Sequence, residues 1–498
     1  MTATTRYFDE AAFQRDCLDA AAEASTTFFD VAFADGAAAP AAAAAAAPAA
    51  ATPAPPLLLA ADSNGFIRAY LSAAVAATWL TEREAEPSSD PVFAWRAHDG
   101  AAYRLAMVGG GAGSNNAGGL VVSAGDDGFV RGWRLSEVTE AAAEAAARRQ
   151  EEEEAQEHEE KEEGSAKRRQ QRPASGRRRP PSAALARLGG DDGRAPLRPA
   201  FEVCLPPWLG GGGGGGGSGG TISAALASPL QRHHHPRPPA AQALCAGGRG
   251  LLFAGASDGG LFCIDGLADG GRAVLSTLGG HAAGVLALDA CRETGAVASG
   301  GEDGLVHVWA PREQQQQQQQ QRAPVATFAA GAGAGADAAA ASSSTTYVSA
   351  LTFDLGGTGG WLVAGTGAGD VELYSLPMRA LARRAPAAAG AAAASAATMV
   401  PQALLLRPGE VLAAGTGPAV VAHRFSLEPP SELARCEVAT DSVFALASAS
   451  ASPSSSSSGA GGVIAVAGAG ATIELLSAQF TRLGLIQPPP SSNAAVVA

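Results

Sequence analysis

A hairpin-like segment recurs seven times along this chain, and this repeat limits the possible folds more than any other feature. Each copy has an apolar triplet, small residues, a turn rich in Gly, Asp or Asn, and alternating apolar residues that end on a larger side chain. This order is typical of two antiparallel strands joined by a tight turn. The copies are LLLAADSNGFIRAY (57–70), LVVSAGDDGFVRGW (120–133), LLFAGASDGGLFCI (251–264), AVASGGEDGLVHVW (296–309), WLVAGTGAGDVELY (361–374), EVLAAGTGPAVVAHRF (410–425) and VIAVAGAGATIELL (463–476).

The spacing of the copies predicts the fold class. Where few residues intervene, the copies end 45 or 51 residues apart, and a period of about 40–45 residues is typical of propeller blades. We therefore predict an all-β, seven-bladed β-propeller with long low-complexity insertions in its loops. Further strands are expected at TTFFDVAFADG (26–36), VLALDA (285–290), VSALTFD (348–354), QALLLR (402–407), VFALAS (443–448) and FTRLGLI (480–486).

The unusual amino-acid composition of the chain comes largely from the insertions. The chain has 498 residues, with 63 Gly and 31 Pro but only 17% charged residues. Its Ala, Gly, Gln and Ser tracts cannot bury enough apolar surface to offset the entropy of ordering them, so we predict that they are disordered. The predicted organisation is an N-terminal arm at 1–25 with a helix over 8–24, one propeller over 26–487, a disordered tail at 488–498, and insertions at about 37–56, 138–200, 210–220, 231–240, 312–346, 385–398 and 449–460.

Two copies carry polar residues in the pattern of the WD40 structural tetrad, in which His bridges Asp and Ser while Ser accepts a hydrogen bond from the Trp indole. In both copies Ser precedes Asp by four residues and Trp follows Asp by six. Such a set satisfies buried polar groups mutually, so we interpret it as structural. The predicted tetrads are His98, Ser123, Asp127, Trp133 and His281, Ser299, Asp303, Trp309.

The other five copies place a different residue where Trp is expected. We expect their blades to depend on apolar packing of small and β-branched side chains. The substituting residues are Tyr70, Ile264, Tyr374, Phe425 and Leu476.

Several protein classes are disfavoured. Apolar runs such as Ala41–Ala47 are short and bounded by prolines, so no membrane span is expected. The N-terminal residues lack the basic and apolar regions of a secretory signal. The six cysteines are far apart, which argues against a disulfide framework and favours a reducing compartment. No paired carboxylates or nucleophile motif stands out, so we predict a non-enzyme without catalytic or metal sites, cofactor or small-molecule substrate.

A charged insertion separates the second and third copies. Residues 140–163 contain eleven Glu against three basic residues and are compatible with a solvated helix, whereas 167–179 contain seven basic and no acidic residues. The basic segment is compatible with a two-cluster nuclear import signal, with RNA phosphate contact, or with a plain charged linker. The rest of the chain carries 25 basic and 37 acidic residues, which disfavours nucleic acid binding over the whole surface. The basic residues are Lys167, Arg168, Arg169, Arg172, Arg177, Arg178 and Arg179.

Three further patterns give only weak evidence of a functional site. The run His233–His235 lies in a Pro-rich loop without a scaffold to fix metal geometry. The run Gly210–Gly217 lacks the Lys-Ser/Thr of a phosphate-binding loop. The sequence Val-Trp-Ala-Pro-Arg at 308–312 has the Arg but not the Asp of the WDxR box that marks ubiquitin-ligase substrate receptors.

Beyond the general repeat, the sequence resembles the family of THO complex subunit 6, particularly its plant type. The most specific segments are RAHDGAAYRL (96–105) and LVVSAGDDGFVRGWRLSEV (120–138), and YFDEAAFQRDCL (7–18) is similar to the family's opening. The order of the later copies also follows the family, so the resemblance covers most of the chain outside the tracts. The third copy departs most from it.

The resemblance implies a nuclear, non-catalytic scaffold that acts in mRNP assembly and mRNA export. The partners it implies are the other THO subunits, which are long and helical, with loop-mediated RNA contact as a further possibility. The alternative is a WD40 adaptor of another complex, such as a ubiquitin ligase or a signalling assembly.

Overall fold

The computed structural model describes the seven repeats and the segments beside them. The predicted helix at 8–24, the insertions at 37–56 and 210–220 and the tail at 488–498 lie outside the described residues. The described ranges are 26–34, 57–71, 91–109, 119–169, 197–208, 237–265, 274–291, 293–309, 323–331, 346–353, 360–387, 399–407, 409–424, 431–449, 463–470 and 472–486.

The described strands form seven sheets of four antiparallel strands each, and each sheet is one blade. Blades 1 to 3 comprise β1 (Phe28–Ala34), β2 (Leu57–Asp62), β3 (Phe66–Leu71), β4 (Phe93–Arg96); β5 (Ala102–Val108), β6 (Leu120–Gly125), β7 (Phe129–Arg134), β8 (Phe201–Cys204); and β9 (Ala241–Ala246), β10 (Leu252–Ala256), β11 (Gly260–Asp265), β12 (Val274–Gly280).

Blades 4 to 7 continue in the same order. They comprise β13 (Val285–Ala290), β14 (Val297–Gly301), β15 (Leu305–Trp309), β16 (Ala326–Ala329); β17 (Val348–Phe353), β18 (Trp361–Thr366), β19 (Asp370–Ser375), β20 (Ala380–Pro386); β21 (Pro401–Arg407), β22 (Glu410–Gly415), β23 (Ala419–Arg424), β24 (Ser431–Glu437); and β25 (Val443–Ala449), β26 (Val463–Gly468), β27 (Ile473–Leu476), β28 (Arg482–Ile486).

The predicted fold class is confirmed, because the strands form a seven-bladed β-propeller. Each repeat supplies the second and third strands of one blade, and the turn between them uses glycine where the backbone needs positive φ. Gly128 and Gly304, for example, both have φ of 75°. The strand predicted at 285–290 coincides with β13.

The ring closes by packing between the first and last blades. The first strands of neighbouring blades contact one another around the ring, and β1 contacts β25 and β26 at the closure. Thr27 forms an antiparallel bridge with Ala469, and Phe28 and Tyr70 share an apolar cluster with Ile473. Each blade's four strands are consecutive in sequence, so closure needs no strand exchange.

Two predicted insertions contain ordered structure: the helix-compatible segment after β7 is helical, and the strand within 312–346 corrects the assignment of those residues as disordered. Helix α1 (Leu135–Arg169) begins directly after β7, three residues before the insertion placed at 138–200. Its alanine-rich first turns are strongly helix-forming, and Val138, Ala141 and Ala142 are buried beside Trp133. Strand β16 lies inside the insertion placed at 312–346 and pairs with β15.

Blade 6 also differs from the expectation. Phe425 was expected at the position that Trp holds in the tetrad blades, but it lies outside the described residues. The register places His423 there, because His423 pairs with Val411 as Trp133 pairs with Val121 in blade 2. The imidazole of His423 is buried and lies 3.2 Å from the carbonyl oxygen of Ala387, in the connection that enters the blade.

Candidate functional site

In blade 4 the structure brings the four predicted tetrad residues together. His281 lies in the connection between β12 and β13, and its Nδ1 is 3.0 Å from Asp303 Oδ1. Its Nε2 is 2.8 Å from Ser299 Oγ, and Trp309 Nε1 donates to the same Oγ at 2.9 Å. Burial would raise the pKa of Asp303, but hydrogen bonding and charge from His281 lower it overall.

Blade 2 forms only part of the predicted tetrad. His98 Nδ1 lies 2.8 Å from Asp127 Oδ1, and Nε2 lies 2.7 Å from Ser123 Oγ. The indole nitrogen of Trp133, however, has no hydrogen-bond acceptor among the described residues. The Trp133 ring packs edge-on against Trp95, 5.7 Å away, in the apolar cluster that includes α1. The expected Ser–Trp bond is therefore wrong for this blade, since aromatic packing orients the indole.

An arginine completes the polar cluster of blade 2. Arg131 Nη1 lies 2.7 Å from Asp127 Oδ2 and 3.0 Å from His98 Nδ1, and its Nε donates to Glu202 at 2.9 Å. Burial would raise the pKa of Asp127, but the His98 and Arg131 contacts hold it well below its usual value. The site therefore holds a positive charge directly against a carboxylate and an imidazole.

Blade 4 has His307 where blade 2 has Arg131. The register shows the equivalence, because His307 pairs with Ser299 as Arg131 pairs with Ser123. The rings of His307 and His281 lie 4.5 Å apart, and Nδ1 of His307 is 2.9 Å from Thr327 Oγ1. Burial and the neighbouring His281 lower the pKa of His307 to about 4. This His–Asp–His cluster was not singled out from the sequence.

Blades 5 and 7 replace the tetrad with buried glutamates, which corrects the expectation of purely apolar packing. Glu372 is fully buried and accepts hydrogen bonds from Tyr374 and from Arg384 on the fourth strand, the latter at 2.6 Å. Glu474 is 1% exposed and pairs with Arg482. The sequence carried a signal, since each Glu interrupts an apolar strand and an Arg follows in the next strand.

Among the described residues, five blades share one further type of hydrogen bond, which we call the interblade clasp. In each, a side-chain carboxylate accepts a hydrogen bond from a backbone N–H in the connection that enters the blade. The donor and acceptor residues are Asp99 to Asp127 at 3.1 Å, Trp208 to Asp258 at 2.6 Å, Ala282 to Asp303 at 2.9 Å, Gly331 to Glu372 at 3.2 Å and Ala439 to Glu474 at 2.8 Å.

The first strands of all seven blades surround a central cavity of about 460 Å³. Its carboxylates also serve the fold, because Asp30 accepts the N–H of Leu105 and Asp289 accepts the N–H of Phe353, each at 2.8 Å and each across to the next blade. Burial raises the pKa of Cys245, which also lines the cavity, so its thiol stays protonated and is a poor nucleophile.

Helix α1 extends beyond the blade that anchors it. Arg149 donates to the carbonyl oxygen of Pro91 at 2.6 Å, whereas Glu151, Glu152 and Glu154 are exposed. Its 35 residues span about 52 Å at the rise of an α-helix. Within the described part of the chain, no helix has both the length and the apolarity that a membrane span requires.

The predicted basic cluster is only partly described. Lys167, Arg168 and Arg169 are the last three residues of α1. Arg172 and the residues Arg177, Arg178 and Arg179 lie outside the described residues, as does the run His233–His235.

No model of a known protein family matches the chain, and no curated protein sequence matches it. The assignment therefore depends on the architecture and on the polar clusters of blades 2 and 4. The chain is a seven-bladed β-propeller whose fold is consistent with the WD40-repeat family.

Proposed function

We propose that this protein is a non-catalytic scaffold subunit of a THO-type nuclear assembly, acting in mRNP assembly and mRNA export. The observation that carries the proposal is the sequence resemblance at 96–105 and 120–138. Apart from Arg96, the last residue of β4, both segments lie in blade 2, the connection that enters it and the first turn of α1. The resembling residues thus form one contiguous structural unit.

The distribution of polar residues supports a scaffold role. The carboxylates and imidazoles of the repeats bind backbone groups, arginines or one another inside the blades. A propeller usually acts through its surface, and exposed apolar side chains mark protein interaction sites when they cluster.

Three large apolar side chains lie on one face of blades 4 and 5. Trp361 starts β18 and is 41% exposed, and Met378 lies in the β19–β20 turn and is 76% exposed. Leu376 in that turn donates to the carbonyl oxygen of Gly360, which holds the turn beside the start of β18. Val325, 45% exposed, directly precedes β16. We call these residues the blade-five patch and propose that a long helical partner subunit packs there.

The assembly is tested by affinity purification of the tagged full chain from nuclear extract of its source organism, followed by mass spectrometry. We expect THO subunits to be recovered. Recovery of ubiquitin-ligase or membrane-signalling components without THO subunits would instead support the alternative adaptor role and overturn the proposal.

The blade-five patch is tested in the same purification with the Trp361→Ala/Met378→Ala variant. We expect the recovery of the helical subunits to fall at least fivefold, because exposed aromatic and Met side chains are common interface anchors. Asp441→Ala, an exposed substitution in the connection between blades 6 and 7, serves as the control and should leave recovery unchanged. Equal recovery with the patch variant would exclude this surface.

We further propose that residues 167–179 act as a nuclear import signal. Two basic clusters separated by a short spacer fit such a signal. Deletion of 167–179 should move a fluorescent fusion of the full chain to the cytoplasm, whereas deletion of 151–163 should not. Unchanged nuclear enrichment after the first deletion would contradict the proposal, and a loss of RNA crosslinking at unchanged location would assign the segment to RNA contact.

A further inference from the structure

Blade 4 contains a cluster of metal-ligand side chains. His281, Asp303 and His307 each offer one donor atom, and these atoms lie within 4.8 Å of one another. Asp303 Oδ1 is 3.0 Å from His281 Nδ1. Two ligands of one Zn²⁺ ion, each about 2.0–2.1 Å from it, are separated by roughly this distance. To complete the site, the donor nitrogen of His307 has to approach this pair from within 4.8 Å.

Blade 2 shows independently that a positive charge fits at this place in the fold. There the guanidinium of Arg131 contacts both the equivalent Asp127, at 2.7 Å, and His98, at 3.0 Å. In blade 4 the same backbone position carries His307. Among the described arginines and lysines, none forms an ion pair with Asp303. Within the described part of the chain, no guanidinium or ammonium group therefore takes the place in blade 4 that Arg131 fills in blade 2.

The backbone beside the donors carries no side chain. A Cβ atom at Gly301 would lie 2.7 Å from His281 Nδ1 and 2.8 Å from Asp303 Oδ1, which is closer than a carbon atom packs. Glycine at position 301 therefore keeps both donor atoms uncovered on this side. The Asp303 side chain also remains 10% exposed, which gives an entry path from solvent.

We propose that His281, Asp303 and His307 bind a divalent transition-metal ion of the Zn²⁺ class. Two imidazole nitrogens and one carboxylate oxygen suit Zn²⁺, Ni²⁺ or Cu²⁺ better than Mg²⁺ or Ca²⁺, which prefer oxygen ligands. Three protein ligands leave a fourth position for water. The ion takes the place that the Arg131 guanidinium occupies in blade 2.

The surrounding residues orient both imidazoles for this role. When His281 carries its proton on Nε2, that N–H donates to Ser299 Oγ and the Nδ1 lone pair is presented to the metal. Ser299 is itself fixed by the indole N–H of Trp309. Thr327 Oγ1 contacts Nδ1 of His307, which leaves Nε2 as the ligating nitrogen. Such outer hydrogen bonds set the tautomer and orientation of metal-binding histidines.

The test uses the full chain with His233, His234 and His235 replaced by alanine, because that run can bind metal by itself. Zn²⁺ binding is measured by titration calorimetry, and Co²⁺ absorption spectra identify the ligands. We expect one Zn²⁺ site per chain and a Co²⁺ spectrum without the intense thiolate band that cysteine ligation produces.

The decisive variant is His307→Arg, which copies the arrangement of blade 2 into blade 4. We expect it to fold normally and to weaken Zn²⁺ binding at least tenfold, while the control His158→Ala on α1 leaves binding unchanged. If His307→Arg is not monodisperse, His307→Gln is judged by the same criterion. Unchanged Zn²⁺ affinity, or a site that shows only thiolate ligation, would overturn the proposal.

Discussion

In blades 4 and 5, different side chains accept a hydrogen bond from the same kind of group, a backbone N–H in the connection that enters the blade. In blade 4 Asp303, in the turn after β14, accepts the N–H of Ala282 and is supported by His281. In blade 5 Glu372, on β19, accepts the N–H of Gly331 and is supported by Arg384. Because glutamate is longer than aspartate, Glu372 reaches the entering connection from its strand. No residue of the β18–β19 turn is then needed to accept the N–H of Gly331. In both blades a carboxylate binds the entering connection, and more than one sequence position can supply it.

The side chain that pairs with this carboxylate determines how each blade responds to substitution. A tetrad distributes its hydrogen bonds over a connection and three strand or turn residues. A buried Glu–Arg pair depends on one permanent cation, and loss of the arginine leaves the buried carboxylate without that counter-charge. Substitutions in both kinds of blade test this contrast.

The largest effect is expected for Trp309→Ala in blade 4. Trp309 is 1% exposed, and truncation of a buried aromatic side chain costs about 3–5 kcal/mol. Urea unfolding of the full chain measures the loss in unfolding free energy. Trp361→Ala, at an exposed position, is the control and should stay within about 0.5 kcal/mol of the parent. A negligible change at Trp309 would refute its place in the blade core.

The next effect is expected for Glu372→Ala in blade 5. This change leaves the Gly331 N–H and the Tyr374 hydroxyl without their acceptor, which should cost about 1.5–3 kcal/mol. Arg384 is partly exposed and can be resolvated, so the full penalty of a buried unpaired charge is not expected. Asp370→Ala removes a carboxylate 3.9 Å from the same arginine and should cost less than about 1 kcal/mol. Equal losses would show that the clasp of blade 5 contributes nothing.

A smaller difference in unfolding free energy is expected between substitutions of Trp309 and Trp133. Trp309→Phe loses the hydrogen bond to Ser299, whereas Trp133→Phe loses none among the described residues. We therefore expect Trp309→Phe to be the more destabilising by about 0.5–1.5 kcal/mol in urea unfolding. Matching losses for the pair would mean that the bond in blade 4 carries no net stability.

The smallest effect at neutral pH is expected for His307→Gln, about 0.5 kcal/mol, because glutamine can still contact Thr327. The pH profile should change more. The pKa of His307 is about 4 in the folded protein against 6.5 for an unperturbed histidine, so the unfolded chain binds more protons between these values. Stability from this residue is therefore present above pH 6.5 and is lost as the pH falls towards 4.

The profile is measured by urea unfolding from about pH 7 to about pH 4 in the presence of a metal chelator, a range that brackets the two pKa values. His307→Gln should flatten the decline, and His158→Gln on α1 should keep the parent profile. A parent protein whose stability does not fall across this window would contradict the placement of His307 in a buried, uncharged state.

Local patterns predicted much of the fold. The repeat fixed seven hairpins because strand alternation and turn glycines are short-range properties, and it located β13 and the two His–Ser–Asp clusters by spacing alone. Blade 6 shows the limit. Its repeat ends on Phe425 in sequence, yet strand register places His423 at the equivalent position, because pairing and not the last large residue sets the equivalence.

The insertions show a second limit. Composition favoured disorder across 312–346, but the short segment 326–329 gains a ladder of hydrogen bonds from β15 and becomes a strand. Helix α1 is similarly anchored because Val138 and Ala142 find an apolar surface beside Trp133. The inserted sequences themselves reveal neither the free edge of β15 nor the apolar surface beside Trp133.

The seven blades and the residues that form their hairpins follow from the amino-acid sequence. Which buried polar groups meet depends on tertiary packing: Glu372 accepts from Arg384, Trp133 packs against Trp95 without bonding Ser123, and His307 occupies the position of Arg131 in blade 2. The two differ in the sequence distance over which they are specified. A hairpin is specified within about 14 residues, whereas a buried charge is satisfied by whatever the next strand or the neighbouring blade brings to it.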